Sequence, residues 1–307
     1  MADFVNTIDL LGDEAVTIAL VARTLTELND DVITAVGKRA FLSYETLTSI
    51  DLPNATRVGD EAFNGCTALT KANFLNLTTF GKFAFSGCTK LASIYFPNAT
   101  SIGYYAFRDC TALTNADFPK ATSIGSSAFR GCSKLTSVNF PNVKTIDSQA
   151  FSECSALTSM NLPNATSIGV SAFNYCTALT DVNLPNATSI ESSFSNCSSL
   201  EYLDLPKVSS IRGGAFQYCK KLTTLILRNT TVCTLENSYA FNNDTPFYTG
   251  GTGGTLLVPR ALVTEYPNAT NWSSLFANNT NNRVLALEDY TVDGTTTGEI
   301  DWDKLNG

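Results

Sequence analysis

Histidine is absent from all 307 residues. That absence removes His general bases, His-centred nucleophile triads and His metal ligands together. Charge is scarce as well: Asp, Glu, Lys and Arg make up 16% of the chain. The polar surface must therefore be built mostly from Ser, Thr and Asn. What charge there is sums to −8, which disfavours nucleic acid and anionic lipid as partners. No Gly-rich phosphate loop leads into Lys and Ser/Thr. The nine cysteines contain no CxxC pair. The acids Asp293, Glu299, Asp301 and Asp303 invite a calcium-loop reading, but their spacing does not match an EF-hand. The expectation is no metal, no cofactor and no enzyme activity. No segment reaches membrane length, and the most apolar early stretch, from Ala15 to Ala22, is too short and follows Asp13 and Glu14. Direct membrane insertion is not expected. The opening Met1, Ala2, Asp3, Phe4 lacks a basic n-region, so no signal peptide is expected.

What is present is periodicity. Phenylalanine recurs at Phe41, Phe63, Phe85, Phe107, Phe129, Phe151 and Phe173, each 22 residues apart, then at Phe194 after 21 and Phe216 after 22. Phe241 follows after 25, where the register breaks. Cysteine keeps step at Cys66, Cys88, Cys110, Cys132, Cys154, Cys176, Cys197 and Cys219, and leucine forms a third ladder from Leu47 to Leu222. A fixed period of this length is the signature of a solenoid, in which each unit covers the apolar edge of its neighbour. The segment Leu135 to Phe140 alternates at its end, as a short strand does. Pro141 closes it, because proline cannot donate to a ladder. The rest of each unit is expected to return through turns. Gly37, Gly59, Gly81, Gly103, Gly125 and Gly169, which follow the Ile, Val or Phe of their units, are read as left-handed backbone. The cysteines read as small buried free thiols. Asn54, Asn98, Asn164 and Asn186 form sequons by pattern, and the repeat explains them as turn residues.

The pattern Leu-x-x-Ile-x-Leu-Pro, followed by Thr-x-Ile-Gly and Ala-Phe-x-x-Cys, resembles the BspA-type leucine-rich-repeat family over about residues 25–241. The resemblance implies an α/β-type, right-handed, curved solenoid. A parallel β-sheet would line its concave face, turns and short 3-10 segments its convex face, with little α-helix. It also implies a protein of the kind bacteria display on their surfaces to adhere to host proteins or other cells. Related repeats occur in protists and gut bacteriophages.

The chain divides into residues 1–24, a cap or anchoring segment with an amphipathic helix expected from Asp13 to about Arg23. Residues 25–241 follow as about ten units, then 242–288 as a C-terminal cap and 289–307 as a polar acidic tail. The tail is read as a loose end, with a docking peptide as the alternative and Trp302 as its one large apolar handle.

In each strand the residues between apolar positions point outward. One outward row is Asp51, Asn73, Tyr95, Asp117, Asn139, Asn161, Asn183, Asp204 and Ile226. The other includes Asn115, Asp181 and Tyr202. From these, Tyr95, Asn115, Asp117, Asn139, Asn161, Asp181, Asn183, Tyr202 and Asp204 are the candidate ligand-binding residues. A hydrogen-bonded ladder that only keeps the sheet soluble is the competing reading. Tyr104, Tyr105, Tyr175 and Tyr218 form a second, outer-side candidate. Two functions fit. One is recognition of a protein or glycan on a cell surface, by a chain displayed on a bacterial surface or a phage particle and attached through its N-terminal segment. The other is an intracellular protein-interaction scaffold located in the cytoplasm.

Overall fold

The structure is a computed structural model and describes residues 25–242, 244–248 and 250–306. The expected helix from Asp13 to Arg23 lies outside them. The chain is a parallel β-solenoid of about ten turns with little helix. Each turn contributes a strand of three or four residues, such as Asn115–Asp117 and Ser137–Asn139, paired in parallel with its neighbours at the repeat spacing. Glu27–Asn29 pairs with Ser49–Asp51 as a first rung.

A second parallel ladder, not anticipated from the sequence, runs along another side. Its rungs are two or three residues long, such as Ser101–Ile102, Ser123–Ile124 and Thr145–Ile146. The Thr-x-Ile part of the repeat, read as turn, is therefore strand. Its β-branched residues suit that role. Ile102, Ile124, Ile146 and Ile168 point inward and are buried.

The remaining turn segment carries a third set of inter-unit bonds. Every second N–H is aimed at the next unit: Glu61 donates to the Lys82 carbonyl, Phe63 to Ala84 and Gly65 to Ser86, each at 2.8 Å. Keeping alternate donors on one side requires left-handed residues. Glu61, Phe83, Tyr105, Ser127, Gln149 and Ser171 form one such column (φ 55 to 59°), and Gly65, Gly87, Asp109, Gly131, Glu153 and Tyr175 a second (φ 58 to 75°). An L-residue pays about 1–2 kcal/mol for this conformation. The ladder bonds offset that cost.

The glycines assigned to left-handed backbone are not left-handed: Gly37, Gly59, Gly81, Gly103, Gly125 and Gly169 all have ordinary φ. Space excludes a side chain at five of them. A Cβ on Gly81 would lie 2.2 Å from the Asp60 nitrogen and 2.4 Å from the Gly59 carbonyl carbon, both rigid backbone. Gly87 is the reverse case, with φ +71 and its nearest neighbour at 3.6 Å. We expect Gly81→Ala to cost roughly 1–3 kcal/mol by overpacking, and Gly87→Ala about 1 kcal/mol through backbone strain. Urea unfolding of both variants checks the order. Equal costs would remove the steric explanation.

The core is one continuous apolar column. Phe rings from Phe41 to Phe216 stack face to face with centroids 5.1–6.2 Å apart and planes within 16°. Phe74, Phe96, Phe118 and Phe140 form a second aromatic row against the first. The short unit keeps the stack: Phe194 sits 5.4 Å from Phe173. In that unit Ser193 is fully buried, and its hydroxyl lies within reach of the carbonyls of Gly169 at 3.2 Å and Glu191 at 3.1 Å, which share its one proton.

All nine cysteines are buried free thiols. Each of the eight ladder thiols donates to the Phe carbonyl of the preceding unit, for example Cys132 Sγ to Phe107 O at 3.1 Å. Burial pushes the thiols of Cys66, Cys110, Cys176 and Cys219 up to about 12. They are protonated and unreactive at neutral pH.

The column ends on Trp272. Its indole Nε1 donates to the Cys233 carbonyl at 2.7 Å, and the Tyr266 hydroxyl accepts from the Cys233 N–H at 2.9 Å. Trp272 and Tyr266 are fully buried and meet edge to face at 5.2 Å. The closing segment comprises the strand Thr255–Val258, short 3-10 turns at Arg260–Leu262 and Tyr266–Asn268, the helix Trp272–Asn278 and the strand Arg283–Ala286.

The tail is not a loose end. Thr291 and Ile300 form an antiparallel bridge, and Trp302–Asn306 is a short helix. Ile300, Trp302 and Leu305 pack, with Tyr290 and Leu285, over Ile226, Leu257 and Leu287. Ile226, placed in the outward row, is outward in register but fully buried, because the tail covers it.

Candidate functional site

The outward side of the longer strands presents the candidate residues in register. Tyr95 faces Asp117, Asp117 faces Asn139, and Asn161 faces Asn183. The amides and carboxylates pair along the row. Asn73 donates to Asp51 at 2.6 Å, Asn139 to Asp117 at 2.8 Å and Asn183 to Asn161 at 2.8 Å. Each pair leaves oxygens and an amide proton available to a partner. Asn115, Asn139, Asn161, Asp181 and Asn183 are exposed, and Asp117 is half-buried. Tyr95 is 51% exposed and interrupts the amide row with one large ring.

The row changes character at its C-terminal end. Asp204 is held by Arg228 through Nε and Nη2, at 2.7 to 3.0 Å. The Tyr202 ring lies 4.6 Å from Trp302. Burial, then the carboxylates of Asp181 and Asp204, raise the Tyr202 hydroxyl's pKa. Tyr202 and Asp204 thus belong to the rim of the tail, and the open row runs from Asp51 to Asn183. The sequence contained a signal for this: the outward row turns apolar at Ile226.

The sequon asparagines are occupied in turn packing. Asn54, Asn98, Asn164 and Asn186 donate their side-chain amides to backbone carbonyls of the unit before, at 2.6 to 2.9 Å. On the turn side, Phe83 stacks on Tyr105 at 4.7 Å, Tyr104 meets Tyr105 edge-on, and the Arg108 guanidinium lies over Tyr105 at 5.1 Å. The Tyr104 hydroxyl donates to that of Tyr105, raising the first pKa and lowering the second. Tyr175 and Tyr218 are exposed on the same side. Phe83 was missed as a partner of these tyrosines because its contact crosses units, whereas Arg108 reaches Tyr105 from within the same unit. Among the described residues there is no group of three or more metal-ligating side chains, and no helix long and apolar enough to cross a membrane.

The family model of the BspA type leucine rich repeat region matches residues 34–157 and 122–247. The chain belongs to the BspA-type leucine-rich-repeat family. No curated protein matches it. Among solved structures, it is similar to a leucine rich cell surface protein from Faecalibacterium prausnitzii A2-165, at 21% identity over 72% of this chain and 86% of that one (TM-score 0.36). The leucine-rich repeat protein TpLRR of T. pallidum shares 28% identity over 48% and 72% (TM-score 0.44). One from Bacteroides ovatus shares 20% over 86% and 84% (TM-score 0.44).

Proposed function

We propose that this chain is a non-enzymatic recognition protein whose outward sheet face binds a protein or glycan on a cell surface. The observation that carries the reading is the part of the open row that runs from Tyr95 to Asn183. It repeats polar groups at fixed spacing along one side of a rigid core, with the exposed Tyr95 ring at one end beside Asp117 and the amides and Asp181 running on from it. A solenoid offers such a surface as its characteristic means of binding. Few, well-placed polar groups beside an aromatic give direction to a contact. Display on a bacterial surface or a phage particle, with residues 1–24 as the attachment, completes this reading.

The test is binding of the labelled full chain to intact bacterial cells, epithelial cells and a glycan panel. Saturable binding to at least one is expected. Binding to none of them, with the protein found only in the cytosol, would replace this reading by that of an intracellular scaffold.

A further inference from the structure

The C-terminal tail lies on the same side of the sheet as the open row, but on a different kind of surface. Beneath it the outward row continues as Ile226, Leu257 and Leu285, the first two fully buried and the third half-buried, with Leu287 buried just past the last strand. An amide row that turns apolar where a segment of chain lies over it has been built for an occupant. The occupant is held by two features. Arg228 is ion-paired with Asp204, and its Nη1 donates to the carbonyls of Thr296 at 2.6 Å and Gly298 at 3.0 Å. Trp302 covers Tyr202.

The fit is incomplete. A cleft of about 440 Å³ remains between tail and strands, lined by Tyr202, Ile226, Arg228, Gly298, Glu299 and Trp302 among others. The tail itself is thinly anchored: Val292 is 72% exposed, and no residue of the helix Trp302–Asn306 is fully buried. Segments with so few buried apolar contacts open at low free energy.

We propose that the sheet face beneath the tail is a peptide-docking groove, and that residues 290–306 are its resident, displaceable occupant. The partner is a polypeptide segment of the tail's own chemistry. It presents two backbone carbonyls to Arg228 and, four residues after the second, a large aromatic side chain to Tyr202. Arg228 bonds main-chain oxygens, and the apolar residues beneath require apolar side chains over them, which a sugar does not supply. The groove is separate from the open row and does not depend on what that row binds.

The experiment titrates a fluorescently labelled peptide of residues 289–306 into full-length protein, wild type and Trp302→Ala, reading anisotropy. The variant's own tail vacates the groove more often, so its apparent affinity rises, by about tenfold or more over wild type. The same peptide carrying Trp302→Ala should bind the variant about tenfold more weakly, a comparison in which the protein's fold is untouched. Adding Arg228→Gln to the variant should abolish binding, with unfolding curves confirming that it stays folded. Asn139→Arg, placed in the open row, should leave peptide affinity unchanged. Equal affinity for wild type and Trp302→Ala would overturn the proposal. So would undiminished binding of the peptide that lacks the indole.

Discussion

Phe129→Ala should lose about 3–5 kcal/mol of stability, the range for truncating a buried aromatic. Phe129 is fully buried and stacks between Phe107 at 5.4 Å and Phe151 at 5.3 Å, with Phe118 and Phe140 against its edges. A globular core relaxes around a deletion from several directions. Here the turns above and below are fixed by three inter-unit ladders, so the space left by the ring stays open. Because each turn is supported only by its neighbours, the loss should also broaden the unfolding transition, as the two halves of the solenoid decouple. Urea unfolding of wild type and variant reads both effects. A cost below about 1 kcal/mol would contradict the stacked column.

Trp272→Ala should cost about as much, roughly 3–5 kcal/mol. The indole closes the end of the Phe column, 6.0 Å from Phe241, and binds the Cys233 carbonyl. The two roles separate in a second variant. Trp272→Phe keeps most of the apolar area but leaves that buried carbonyl without its donor, which costs about 1–3 kcal/mol. If Trp272→Phe is as damaging as Trp272→Ala, the hydrogen bond dominates. If it is harmless, the Cys233 carbonyl finds another partner and the closing role is one of packing alone. Thermal unfolding, with far-UV circular dichroism to confirm the native fold at low temperature, distinguishes these results.

The columns legible in the sequence are those in which one residue type fills one environment in every unit. Phe, Cys and Leu at the repeat spacing could only be inward, and the structure buries them. The left-handed columns are different. Glu61, Phe83, Tyr105, Ser127, Gln149 and Ser171 share a backbone conformation and no side-chain chemistry, so no pattern marks them. The glycines before them attracted the left-handed reading, although they are conserved across units by contact with the backbone of the preceding turn. The second strand ladder was hidden by its length, since two residues cannot show alternation. The tail was misread because its apolar residues, Tyr290, Ile300, Trp302 and Leu305, follow no period. Their complement is Ile226 and Leu257, distant in sequence. The polar row was legible as a row, and its Asn–Asp pairing follows from strands set in register one unit apart.

A structural ladder and a recognition surface are compatible here, since Asn139 and Asp117 spend one hydrogen bond on each other and keep the rest of their capacity for a partner. The measurement that separates a recognition surface from a merely soluble one is cell or glycan binding by two charge-matched triple variants of the full chain. One carries arginine at Asn139, Asn161 and Asn183 on the open row. The other carries it at Tyr104, Ser148 and Val170 on the turn side, which includes the exposed tyrosine patch. The first variant should lose saturable binding and the second should retain it. Binding that survives in the first and disappears in the second would contradict that expectation, and would place recognition on the turn side.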